Sequence, residues 1–173
     1  MKKIFVLTML VSLFTAATTF AQDEDKSKRP SPPAIAKETI KSGATITIDY
    51  SQPSVKGREI GGKEIATYGQ VWRTGANEAT TFNVDKAVTV QGKALAAGKY
   101  ALFTIPTANE WTIIFSKNAA QWGSYKYTEA DDVLRVTTKP VKGPATEKMT
   151  FKIEKSGKVT LMWGTVAVPF NVK

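Results

Sequence analysis

From Ala34 to the C-terminus, apolar residues take alternate positions in short windows, and Gly, Pro and Asn interrupt them about every 8 to 12 residues. No other feature of the sequence constrains the fold as strongly. A period of two puts alternate side chains on opposite faces of an extended strand, and windows this short, bounded by turn residues, close by hairpins into antiparallel sheets. Thr45–Tyr50 sets Ile46, Ile48 and Tyr50 on one face, and Lys148–Glu154 does the same with Met149, Phe151 and Ile153. Further strands are predicted at Gln70–Thr74, Thr80–Val84, Ala87–Val90, Lys99–Ile105, Glu110–Ser116, Val133–Lys139, Lys158–Trp163 and Val166–Val172. The residues between Ile105 and Trp111 read as a hairpin turn. Pro169 donates no ladder hydrogen bond, so the last strand is expected at an edge or with a bulge there. Helical spacing is limited to short turns around Asn118–Trp122 or Thr128–Asp132, and no internal repeat is present. The expected fold is all-β: an antiparallel β-sandwich or flattened barrel of about ten strands with little helix.

Ahead of this domain lie two segments of different composition. Lys2 and Lys3, the apolar stretch Ile4–Ala17 and small residues up to Ala21 have the layout of an export signal. Cleavage is expected after Ala21, with Thr19 at the third position back; a cut after Ala17 is the alternative. The apolar run is shorter than the ~18 residues of a spanning helix, so the membrane is expected to matter only during export. Residues 22–33, polar and rich in Pro, read as a flexible linker, and 34–173 as one β domain. The acids Asp23, Glu24 and Asp25 lack the Gly and distal Glu of a calcium loop, so no metal is expected there. The protein is therefore expected outside the cytoplasm, periplasmic or secreted.

The 173 residues include no His and no Cys. This removes Ser-His-Asp chemistry, thiol nucleophiles, disulfides, and zinc sites built on thiolate or imidazole. No cofactor is implied, and any chemistry rests on carboxylates, Lys, Tyr or Ser/Thr. The chain carries 24 Lys+Arg against 15 Asp+Glu, a formal charge of +9 that falls by two when Lys2 and Lys3 leave with the signal. No basic cluster or nucleic-acid motif accompanies that charge, so nucleic acid is not an expected partner.

One stretch gathers polar groups of different kinds. Val71–Thr80 places Arg73, Asn77 and Glu78 around Gly75 between two predicted strands, a bend able to present a guanidinium fork, an amide and a carboxylate to a polar ligand. An internal Arg–Glu pair, with Asn77 tying down the bend, is the competing reading.

That stretch, together with Gln52–Arg58, Tyr68–Gln70, Gly98–Pro106, Glu110-Trp111, Gln121-Trp122-Gly123 and Asp132–Arg135, resembles the exported bacterial "domain of unknown function 2911" family across nearly the whole mature domain. The resemblance implies export and a single domain. It lends no catalytic residue.

Only four of the basic residues are Arg, and Arg58, Arg73 and Arg135 fall inside these motifs. Scattered Lys serves solubility, whereas Arg marks bidentate contact, so defined partners are expected for these three, with Glu59, Glu64, Glu78, Asp131 and Asp132 as internal candidates. Trp72, Trp111 and Trp163 lie in strand patterns and are assigned to the core; Trp122, between strands, is the aromatic expected at a site. The candidate ligand-binding residues are thus Arg58, Arg73, Asn77, Glu78, Trp122, Asp132 and Arg135. The leading function is a non-enzymatic binder of a polar ligand such as a glycan or peptide. An alternative is a carbohydrate hydrolase using Glu78 and Asp132 as acid and base. A structural envelope protein associating through a sheet edge is a further alternative.

Overall fold

The computed structural model describes residues 25–173; the segment expected to be an export signal, residues 1–21, and residues 22–24 lie outside the described residues. The described residues are all-β, with ten strands in antiparallel sheets. They are β1 (Pro33–Thr39), β2 (Thr45–Ser51), β3 (Thr81–Val84), β4 (Val88–Val90), β5 (Lys93–Leu95), β6 (Gly98–Pro106), β7 (Trp111–Ser116), β8 (Asp132–Thr138), β9 (Val141–Ile153) and β10 (Lys158–Asn171). Six form one sheet in the order β1-β2-β3-β6-β7-β8. The β9–β10 hairpin and the β4–β5 hairpin supply the other layer, joined where Val90 bridges Val172.

Alternation decides which side chains meet between the layers. Ile46 and Ile48 of β2, Phe82 of β3, Tyr100 and Leu102 of β6, and Ile113 and Phe115 of β7 face inward against Phe151, Leu161, Trp163 and Phe170. Trp72 stacks on Trp163 at 5.4 Å and meets Trp111 edge-on, so these three tryptophans are core residues, as their strand patterns predict. β6 is buried on both faces, because Ala101 and Phe103 pack with Ile114 and Ala79 in a smaller cluster on the outer face. That outer cover comes from two long connections, residues 52–80 and 117–131. Loops this long without strands of their own are uncommon in compact domains and often carry function.

Several elements differ from the sequence pattern. Gln70–Thr74 forms no ladder strand. Only Trp72 bridges Thr104, and the left-handed backbone of Thr74 ends the pairing. Lys158–Trp163 and Val166–Val172 merge into one strand, which absorbs the interruption through register shifts around Gly164 rather than at Pro169. Pro169 follows the last pair with β9, Ala167 with Val141, on a strand of a two-stranded sheet. β1, β5 and the first half of β9 are additional strands, and they are short or exposed enough to carry few apolar alternations. The Ile105–Trp111 hairpin forms as expected, and a 3-10 turn occupies Glu129–Asp131. Residues 25–33, read from composition as a linker, lie against the domain, with a 3-10 turn at Lys26–Lys28 leading into β1.

Candidate functional site

The bend after Trp72 is built around two non-glycine residues with positive φ, Thr74 at 55° and Asn77 at 58°. Left-handed backbone costs about 1 kcal/mol or more at a non-glycine residue, and most at a β-branched one, so neighbouring groups must fix it. Here they do. Thr80 Oγ1 donates to the Thr74 carbonyl at 2.7 Å, Trp72 Nε1 donates to the Gly75 carbonyl, and Thr74 Oγ1 donates to Thr104 Oγ1. Gly75 is required for space, since an added Cβ would stand 2.8 Å from Thr80 Oγ1. Asn77 Nδ2 donates to the Ser31 carbonyl at 3.0 Å and to Ser51 Oγ at 3.3 Å, which ties the bend to the entry of β1 and the end of β2.

Glu78 emerges beyond this corner, and its backbone bridges Trp122 of the 117–131 connection. Its carboxylate accepts from Lys26 Nζ at 3.1 Å and from Arg29, whose Nη1 reaches both oxygens at 3.1 and 3.0 Å. The Glu78 carboxyl sits below its ordinary range: partial burial pushes it up, but its own backbone N–H, Arg29 and Lys26 outweigh that and hold it ionised. Arg29 also lies 5.9 Å from the Trp122 ring centroid, a cation–π distance, while Trp122 stays 55% exposed.

Two depressions meet at Glu78. One, about 350 Å³, runs toward β1 and is lined by Lys26, Arg29, Ile35, Asp49, Ser51 and Lys99 among others; the second, about 470 Å³, runs under Ala119, Ala120, Gln121 and Trp122. Glu78, Ala79, Thr81 and Lys99 line both, so they form a continuous groove of small-ligand size. Charges of both signs border it, with Asp49 4.0 Å from Lys99.

Asp132 and Arg135 belong to a separate network. A β-bulge lets Ser116 face Asp132 while Phe115 faces Leu134, and this extra residue puts Asp132 on the same outer face as Arg135. Arg135 Nε donates to Asp132 Oδ2 at 2.5 Å, Arg135 Nη2 donates to the Tyr127 hydroxyl, and that hydroxyl donates to Asp132 Oδ2 at 2.8 Å. Glu129 adds an ion pair to Arg135 at 3.2 Å. Burial, followed by the hydrogen bond to Asp132, pushes the Tyr127 hydroxyl up to about 12.

The seven sequence candidates therefore separate. Glu78 and Trp122 share the groove. Asn77 is a positioning residue whose amide is used internally. Arg73 does not pair with Glu78; Arg29 takes that role, and Arg29 was hidden in the polar stretch read as a linker. Arg58 is no part of the groove, because it donates to the carbonyls of Ser54 and Val55 and closes its own turn, with backbone oxygens rather than Glu59 or Glu64 as partners. Asp132 does not combine with Glu78 as an acid–base pair, since its side chain is 7% exposed and is held by Arg135 and Tyr127. Among the described residues no group of Asp and Glu is arranged to hold a metal ion.

A family model described as "Protein of unknown function (DUF2911)" matches residues 31–172, a range that takes in all ten strands, the corner and both walls of the groove. Lys26 and Arg29 fall just ahead of it. No curated protein and no solved structure matches the chain.

Proposed function

We propose that this chain, which belongs to the DUF2911 family of proteins of unknown function, is an exported, non-enzymatic binding domain whose groove at Glu78 takes a glycan. The groove itself carries the reading: Glu78, Thr81 and Lys99 line both of its lobes, and the half-exposed Trp122 forms one wall. Carboxylates, a hydroxyl and an amide accept and donate to sugar hydroxyls, and an indole face stacks on the apolar face of a sugar ring. A glycosidase needs one carboxyl kept protonated to act as acid, whereas Lys26 and Arg29 hold Glu78 ionised and Asp132 is enclosed. Export rests on the signal read at residues 1–21, and an N-terminus beginning at Gln22 in the extracytoplasmic fraction is the expected product.

A peptide is the second reading, favoured because the groove reaches Pro33, Ala34 and Ile35 on the edge strand β1. There a peptide in extended form finds unpaired backbone groups. Screening the full chain against glycan and peptide libraries separates the two. The expected result is glycan binding weakened at least about tenfold by Trp122→Ala and by Glu78→Ala, a loss of about 1.4 kcal/mol each. Binding unaffected by both substitutions would overturn the groove as the site.

A further inference from the structure

Arg73 and Arg135 lie in one row across the outer face of the six-stranded sheet. Trp72 and Thr104 exchange both backbone hydrogen bonds, at 2.8 and 2.9 Å, so Arg73 falls beside Phe103. Phe103 pairs with Ile114, and Ile114 with Arg135. Trp72 packs into the core, so alternation turns Arg73 to the outer side, with Phe103. Three strand spacings separate the two arginines, about 14 Å, and Tyr127 packs on Phe103 between them at 5.0 Å.

The two guanidinium groups stand in opposite conditions. Arg135 is engaged by Asp132, Tyr127 and Glu129. The Arg73 guanidinium makes no hydrogen bond or ion pair with any described residue, the backbone carbonyl of Arg73 alone accepting from the Thr80 N–H. Its Nε is enclosed without a partner, while its two terminal nitrogens are outside that enclosed set and remain in reach of solvent. Gln121 Oε1 and Asp132 Oδ1 are likewise enclosed without a partner. Burial draws the Arg73 guanidinium below its ordinary range, opposed by the neighbouring Tyr125. A partly enclosed cation without a counterion is costly to keep. The backbone that carries it is also strained at Thr74 and locked by four side-chain bonds around Trp72–Thr80. Strain held this firmly next to an unmatched charge points to a group positioned for something outside the chain.

We propose that Arg73 is an oxyanion-binding residue, its terminal amino groups taking a carboxylate or phosphate of an external ligand beside Tyr125. The guanidinium fork matches two oxygens of either anion, and Nε anchors the fork from within. Tyr125, 85% exposed and packed over Gly123, adds a ring and a hydroxyl at the rim. The site uses neither Glu78 nor the Trp122 ring, so it stands or falls separately from the glycan groove.

The test is thermal unfolding of the full chain in inorganic phosphate and, separately, in acetate, each against sodium chloride at matched ionic strength. Phosphate stabilises proteins generally by exclusion from their surface, so the readout is the difference between wild type and Arg73→Gln. Wild type is expected to gain several degrees more than Arg73→Gln in at least one anion. Phosphate alone giving the gain identifies a phosphorylated ligand, and acetate alone a carboxylate. A second measurement needs no variant: the Arg73 Nε–H resonance is expected to shift and saturate with the active anion. Equal gains in wild type and Arg73→Gln, or a resonance that does not move in either anion, would overturn the proposal.

Discussion

One guanidinium nitrogen of Arg29 contacts both carboxylate oxygens of Glu78, at 3.1 and 3.0 Å, and the Arg29 side chain is only 13% exposed while that of Glu78 is 42% exposed. A pair with one enclosed and one accessible member both fastens the N-terminal segment and lies open to a ligand. A double-mutant cycle of Arg29→Ala and Glu78→Gln is expected to give a coupling of about 1 kcal/mol by urea denaturation, at the upper end for a pair that water partly screens. Coupling indistinguishable from zero would mean that residues 25–33 are not held by this contact.

The same pair sets a pH response. The folded Glu78 carboxyl lies below its ordinary 4.5, so its stabilising effect is complete above that value and is lost as pH falls through the lower folded value. Wild type is expected to lose stability faster than Glu78→Gln between about pH 5 and 3, the two curves converging at the acid end. Parallel curves over that range would contradict the assignment.

Tyr127 makes the opposite case, at the alkaline end. Its hydroxyl ionises in the fold only near about 12, against an ordinary 10.0, so its contribution is full below 10.0 and disappears toward 12. In an absorbance titration of the folded protein, Tyr127→Phe is expected to remove the component that ionises last. The substitution leaves Asp132 and Arg135 short of one partner each, a loss of about 1 to 2 kcal/mol. An unchanged titration would show that another tyrosine is the last to ionise.

The β architecture was legible because period-two alternation survives wherever one face of a strand is buried, as in Ile46, Ile48 and Tyr50. It failed for the first half of β9, where most side chains are exposed and nothing selects apolar residues. The corner at Arg73, Asn77 and Glu78 was visible from residue types and Gly75. The partner of Glu78 was not, because spacing in sequence says nothing about a contact 49 residues apart. Arginine usage held part of the missing clue: the rarity of Arg led to defined partners being expected at three positions, internal groups supply them at Arg58 and Arg135 but not at Arg73, and the fourth arginine, Arg29, is engaged by Glu78.

Tryptophan substitutions separate core from site. Trp163 is 1% exposed and stacked on Trp72, so Trp163→Ala is expected to cost about 3 to 5 kcal/mol, or to prevent folding. Trp122→Ala, at a half-exposed ring held by one cation–π contact, is expected to cost no more than about 1 kcal/mol. Acrylamide is expected to quench mainly Trp122 emission. Comparable losses of stability in the two variants would place Trp122 in the core and remove it from the groove.

Gly157 ties the β9–β10 turn to the C-terminus. Its φ is +88°, its N–H donates to the Glu154 carbonyl, and its carbonyl accepts from the Val172 N–H at 2.8 Å. A Cβ added there would lie 1.9 Å from the Val172 carbonyl oxygen, backbone that cannot rotate aside. Moving Val172 breaks its bridge to Val90, which joins β4 and β5 to the second layer. Gly57 is the control, since its φ of +71° carries the same left-handed penalty but nothing lies within 4 Å of an added Cβ. Gly57→Ala is therefore expected to cost about 1 kcal/mol, and Gly157→Ala about 2 to 4 kcal/mol, with the difference measuring the collision at Val172. Equal denaturation midpoints for the two variants would mean that the C-terminal strand yields freely and that the Val90–Val172 bridge contributes little to joining the layers.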